Sequence, residues 1–264
     1  MTDPAAQART FEVLEPDWPA GPGVRALCST RAGGVSQPPW NHLNLGDHVG
    51  DDPAAVAANR RVYAQRLGVR PVFLRQVHGA ACVELNPHTP DGTEADACHT
   101  RARGVACTIM VADCLPVLLS DTRGDRVGAA HVGWRGLLGQ GGQGVLEAAM
   151  HPMDAAHTVA WLGPCIGPDA FEVGPEVRQA YVALDPGCAA YFMPAGPGTA
   201  SPGKWRADLP GLARRRLQAL GLDPGCIHGN DGSSGWCTVA QGSRFFSHRR
   251  DRVSGRLAAS VWRV

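Results

Sequence analysis

The sequence of 264 residues predicts a loop-rich chain that mixes strands and helices, of the α/β or α+β class. Three observations carry that expectation. The 33 glycines and 21 prolines lie above average usage and speak against a helical bundle. The apolar runs Thr108–Ala112 and Leu115–Leu119 are short, branched and bounded by Pro or polar residues, the pattern of strands buried on both faces. Elsewhere, as in Asp52–Gly68, apolar residues recur at helical spacing between a capping residue and a glycine.

Taken in order, Gly23–Thr30 reads as a strand that runs into the glycine-bearing loop Arg31–Ser36, and Trp40–Asp51 as an ordered polar loop. Asp52-Pro53 starts a helix, because Asp caps and Pro suits the first turn. Val56, Tyr63 and Leu67 share one face of it, and Gly68 ends it. Val72–Val77 is expected to be a strand ending at His78-Gly79, with Ala81–Leu85 as its partner. Asn86–Thr100 reads as a turn-rich loop containing Asp96. The two central runs follow, and Asp121–Asp125 makes a hairpin-like turn into Val127. Such a hairpin displays Asp113, Cys114, His131 and Arg135 near its ends, where sites are usually built.

Beyond the centre, Leu137–Met150 reads as helical despite four glycines, Thr158–Leu162 as a strand and Gly163–Pro168 as a rigid loop. Helices are expected at Glu176–Leu184 and Asp208–Leu220, the latter with Arg214 to Arg216 in solvent. The Pro- and Gly-dense stretch Asp185–Lys204 reads as a long surface loop. Strands are expected near Cys226–His228, Thr238–Val239 and Leu257–Trp262. With no repeat, linker or composition break, residues 1–264 read as one domain.

Composition removes several classes. A net charge of +1 with 19% charged residues offers no argument for nucleic acid or an acidic partner. No window approaches ~18 uninterrupted apolar residues, so no membrane span is expected. The first residues lack a cationic start followed by an apolar core, so no signal peptide is expected. Nine cysteines without a single CxxC fit reduced thiols in a cytoplasmic protein.

Among motifs, Gly139-Gln-Gly-Gly-Gln-Gly144 matches GxGxxG, but no acidic residue follows at the offset a ribose requires, and close packing of a glycine-rich helix accounts for it better. HExxH, GxSxG and the paired motifs of zinc deaminases are absent. His78, Cys114 and His131 are a His/Cys set at strand ends within one apolar region. Such residues suit a soft divalent metal held by three donors with a fourth position open. Two other readings stand beside it: buried residues with no function, or a Cys114–His131 nucleophile pair. Arg31 and Arg135 each lie beside glycines, which lets backbone and guanidinium approach an anion together. Arg249, Arg250 and Arg256 read as a solvated or structural basic cluster, and Asp113 as structural.

A set of motifs then resembles one family across nearly the whole chain. They are STRAGGVS (29–36), NLGDHVGDD (44–52), RQVHG (75–79), VADCLPVLLSD (111–121), HVGWRG (131–136), LGPCIGP (162–168), FEVG (171–174) and FFSHRRD…GR (245–256). Together they resemble the YfiH family, also called the laccase-domain or polyphenol-oxidase family and, in some bacteria, peptidoglycan editing factor. Val132 and His248 depart from it, where the family often has Ala and Tyr.

The resemblance implies a single α+β domain, a β-sandwich-like core with flanking helices, related to Cys/His hydrolase-like toxins. It implies a zinc-dependent purine nucleoside phosphorylase acting on adenosine, inosine, guanosine and methylthioadenosine, with adenosine deaminase activity. The implied zinc ligands fall on His78, Cys114 and His131. Cys114, His131 and Arg31 are then expected in catalysis, and Arg31, Asn44 and Arg135 against the nucleoside and phosphate. Editing of cell-wall precursors is the alternative function. A laccase-like oxidation is disfavoured, because one His/Cys/His set does not supply several copper ions.

Overall fold

The computed structural model describes residues 11–195 and 203–264. The chain opens with strands β1 (Val13–Leu14) and β2 (Val24–Ser29), then helix α1 (Pro53–Leu67) and strands β3 (Arg70–Phe73), β4 (Cys82–Glu84) and β5 (Ala97–Thr100). The two central apolar runs become β6 (Val105–Val111) and β7 (Leu115–Asp121), and β8 (Val127–Val132) follows the turn. Helices α2 (Trp134–Leu138) and α3 (Val145–Met150) lead to β9 (Thr158–Leu162) and β10 (Glu172–Val173). The rest comprises α4 (Pro175–Leu184), β11 (Phe192–Pro194), β12 (Trp205–Ala207), α5 (Leu209–Ala219), β13 (Ile227–Gly229), α6 (His248–Asp251) and β14 (Leu257–Arg263).

Two large sheets stack. One has the order β1-β2-β14-β6-β3, the other β13-β9-β7-β8-β5-β4, and a small sheet β10-β12-β11 joins the core of the second through Val173, Phe192 and Ala207. Side-chain alternation shows why both central runs are apolar throughout. On β6, Val105, Cys107, Ile109 and Val111 meet Leu118, Ala129 and Trp161 of the other sheet, while Ala106 and Met110 join Tyr63 and Leu67 of α1. On β7, Leu118 enters the sandwich, and Leu115, Val117 and Leu119 pack with Leu146 of α3 and Leu212 and Leu217 of α5. Each such Leu or Val contributes roughly 1.5–3 kcal/mol by leaving water. The α+β class with a sandwich-like core and flanking helices follows from this layering.

Helix α1 forms where the sequence places it. Asp52 accepts from the Ala54 N–H at 2.9 Å, Pro53 opens the first turn, and Gly68 closes the helix in the left-handed conformation. Its buried Asn59 donates to the Ser36 hydroxyl and to the carbonyls of His42 and Asn44, and accepts from the Val35 N–H. That amide ties the helix to the polar loop ahead of it.

Several expectations are corrected. The strand expected over Val72–Val77 stops at Phe73. There the Gln76 side-chain amide replaces the backbone, pairing with both the N–H and the carbonyl of Met110 at 2.8 Å. Residues 81–85 do not pair with it: β4 edges the other sheet beside β5, which lies within the stretch expected to be loop. Residues 137–150 are not one helix but the end of α2, a turn and α3, because Gly139, Gly141 and Gly142 adopt positive φ of 66°, 58° and 81° and end the first helix. GxGxxG is thus a turn, not a helix packing motif.

Of the long loop expected at 185–204, Pro186–Tyr191 is a 3₁₀ helix and Phe192–Pro194 a strand, while 196–202 lie outside the described residues. Arg214, Arg215 and Arg216 are not free in solvent. Arg214 donates to the carbonyls of Ile227, Gly229 and Asn230, Arg215 to Asp185 and Arg216 to Glu147. Thr238–Val239 forms no strand.

Candidate metal centre

The site is made where the chain changes sheets. Strand β6 ends in one sheet and β7 begins in the other, and Ala112-Asp113-Cys114 crosses between them. Asp113 makes the crossing with φ 102°. Its carboxylate accepts from the Thr238 hydroxyl and the Arg249 N–H, both at 2.6 Å, and its carbonyl accepts from the Ile166 N–H at 2.8 Å. The crossing delivers Cys114 to the start of β7, next to β8, where Leu115 faces Val132 and Pro116 faces His131.

His78 arrives from the loop after β3 with φ 62°. That backbone is unfavourable for a side chain-bearing residue and needs external support. Asp96, fully buried, supplies it. Its Oδ1 accepts from the His78 N–H at 2.9 Å, and its Oδ2 from those of Val77 and Gly79 at 3.1 and 2.7 Å. The same Oδ1 lies 2.8 Å from His131 Nδ1. One carboxylate therefore fixes both histidines and leaves Nε2 of His131 as the free donor.

Ligand atoms of His78, Cys114 and His131 all lie within 4.8 Å of one another. The two imidazole centroids are 4.7 Å apart and the rings cross at 70°. Gly133 passes close by: a Cβ there would sit 3.1 Å from both Cys114 Sγ and His78 Cδ2. Burial pushes the Cys114 thiol up, but His131 and His78 outweigh it and hold the thiol below its ordinary range. Burial pulls His131 down, and Cys114 and Asp96 overcome that and raise it. Burial likewise opposes ionisation of Asp96, and His131 with the backbone N–H groups of Gly79 and Val77 keeps it ionised. Two nitrogens and a thiolate-prone sulfur, one histidine oriented by a carboxylate and one donor exposed, fit a soft divalent ion with an open position.

The three donors line a cavity of about 360 Å³. Met110, Ile166, Phe171 and Leu209 give it an apolar wall, and Arg135, Arg249, Arg252 and Arg256 give it positive charge. His48 and His248 also line it. The Arg135 guanidinium lies 4.3 Å from the Trp134 ring centre, and that of Arg249 lies 5.6 Å from Phe171. Of the residues singled out from sequence, His78, Cys114, His131 and Arg135 meet here.

Arg31 and Asn44 do not line this cavity. Arg31 lines a separate surface depression, donating from Nε and Nη2 to the Asn41 carbonyl at 3.0 and 2.9 Å and from Nη1 to that of Gly242 at 2.7 Å. Asn44 is fully buried, donates to the Gly46 carbonyl and Asp51, and accepts from the Arg256 N–H at 2.9 Å. Asp96, Gln76, Arg249, Arg252 and Arg256 are the residues that sequence reasoning missed or set aside. Arg249 and Arg256 had a signal, since both lie in the FFSHRRD…GR motif; the acid at 96 had none.

Comparison with known proteins agrees with the motifs. Residues 25–264 match the family model described as multi-copper polyphenol oxidoreductase laccase. The chain is 49% identical over 251 residues to a protein of Pseudomonas aeruginosa named purine nucleoside phosphorylase, covering 94% of this chain and 97% of the relative. It is 43% identical over 257 residues to purine nucleoside phosphorylase YfiH of Escherichia coli, covering 96% and 99%. A crystal structure of a Neisseria meningitidis protein superposes with a TM-score of 0.86 at 42% identity, over 95% of this chain and 98% of that one. YlmD from Geobacillus stearothermophilus gives 0.81 at 30% identity, over 97% of each.

Proposed function

This chain belongs to the multi-copper polyphenol oxidoreductase laccase family, and from that premise we propose that it is a zinc-dependent purine nucleoside phosphorylase. The observation that carries the reading is a three-donor set in an apolar cavity with arginines around it. The names of the relatives support the same substrate class.

His78, Cys114 and His131 would hold the ion, which when bound supplies a Lewis acid and lowers the pKa of bound water to about 7. The purine and ribose rest against Phe171, Met110, Ile166 and Leu209, which exclude water from the glycosidic bond. Arg256 and Arg249 hold the phosphate dianion, presenting paired N–H donors to its oxygens. A phosphate oxygen bonds to C1′ as the bond from C1′ to the purine breaks, and the bonding pair leaves with the purine. The purine takes its proton from His248 at the rim. Asn44, bonded to the Arg256 backbone, acts by holding that arginine in place. Adenosine deamination belongs to the same proposal, with water adding at C6 and ammonia leaving.

The test supplies adenosine, inosine, guanosine and methylthioadenosine with inorganic phosphate and measures free base and ribose 1-phosphate. Zinc is assayed in the wild type and in Cys114→Ala. About one zinc per chain, lost in the variant together with phosphorolysis, is the expected result. Equal zinc in both proteins, or no free base from any nucleoside, would overturn it. Inosine formed from adenosine without phosphate reports the deaminase arm.

A further inference from the structure

Four arginines reach the cavity from different places: Arg135 from α2, Arg249 from α6, and Arg252 and Arg256 from the segment that joins α6 to β14. None of the four guanidinium groups has a carboxylate oxygen within 4.0 Å among the described residues. Asp113 is the one carboxylate in the lining, and Thr238 and the Arg249 N–H engage its two oxygens. Guanidinium groups converging on a concave apolar surface repel one another until an anion enters.

The four divide by position. Arg256 is partly buried in the lining, its backbone N–H is held by the fully buried Asn44, and Cys114 and Asp113 are the acidic groups whose charge reaches it. Its Nη1 donates to the carbonyls of Ser254 and Gly255, leaving Nε and Nη2 for a ligand. Arg249 is also partly buried, with Nη1 on the Glu172 carbonyl. Arg135 and Arg252 are exposed, and neither guanidinium donates a hydrogen bond to the protein among the described residues. Two guanidinium groups match one phosphate dianion in charge and in paired donors. With inorganic phosphate on the inner pair, the rim pair lacks an anion.

We infer that the substrate carries that anion itself, and that this site takes nucleoside 5′-monophosphates, the 5′-phosphate held by Arg252 and Arg135. The inference rests on the phosphorolysis reading above. A ribose that turns C1′ toward the inner arginines points its 5′ carbon away from them, toward the rim. The inner phosphate bonds to C1′, the C1′–N9 bond breaks with its pair going to the purine, and the purine takes a proton. The products are the free base and ribose 1,5-bisphosphate.

The full-length zinc-loaded protein is assayed with AMP and with adenosine, each with inorganic phosphate, by release of adenine. The expected result is a kcat/KM at least ten-fold higher for AMP, with ribose 1,5-bisphosphate as co-product. That ratio should fall five-fold or more in Arg252→Gln and in Arg135→Gln. Val253→Ala, exposed beside Arg252 but outside the lining, should keep it. Calorimetric binding of AMP without phosphate reads the rim apart from turnover, and Arg252→Gln should bind at least ten-fold more weakly. Adenosine cleaved as well as AMP, a ratio unchanged in both arginine variants, or equal AMP binding by wild type and Arg252→Gln overturns the inference and leaves phosphorolysis standing. Turnover of neither substrate overturns both.

Discussion

Asp96 shows how much of the candidate site rests on a residue outside the three-donor set. Its two oxygens collect three backbone N–H groups around His78 and the ring of His131. Asn at this position keeps the size but replaces one acceptor oxygen by a donor and removes the charge that favours the bound tautomer of His131. Zinc affinity of Asp96→Asn should fall by about 10–100-fold. Competition with a chromophoric chelator measures this directly, and an unchanged dissociation constant would remove Asp96 from the account.

At the scale of elements, helix α1 and the polar loop before it form one support for the cavity. The helix holds the loop through Asn59, and the loop holds Arg256 through Asn44. The end of the helix depends on Asp52, whose carboxylate accepts from the Ala54 N–H. Asp52→Ala leaves that N–H without its cap and should cost about 1 kcal/mol of stability. The urea midpoint should drop while the denaturant slope stays the same. An unchanged midpoint would mean that the first turn is satisfied without the cap.

For the molecule as a whole, acid stability has a readable contributor away from the cavity. Asp185 joins the end of α4 to α5 by an ion pair with Arg215. The Arg215 guanidinium, joined by the Gly187 N–H, holds the Asp185 carboxyl down at about 2. A carboxyl in an unfolded chain titrates near ~3.9. Since the folded value is the lower one, the stabilisation is present above about pH 4 and is lost as pH falls toward 2. Asp185→Asn should therefore narrow its stability deficit as denaturation is repeated from pH 7 down to pH 2.5. A deficit that stays constant over that range would sink the assignment. Because the pair is partly exposed, added salt should weaken it.

The sequence by itself determined the elements whose signals are local. Helix α1 carries its start and stop within its own residues, and β6, β7 and β9 are runs that suit burial on both faces. It also placed Cys114 and His131 near each other, because a short turn joins their strands and antiparallel pairing follows from it. Only the tertiary structure decided which sheet each strand joins. Strand β14, last in the chain, pairs between β2 and β6, and β4 pairs away from β3, outcomes set by packing over long sequence separations. The same holds for Asp96 and the arginines. A carboxylate acquires its role from the N–H groups brought around it, and a guanidinium becomes a cavity charge only when no carboxylate is folded against it. Neither condition is written in a residue's neighbours along the chain, since both depend on contacts between segments far apart in sequence.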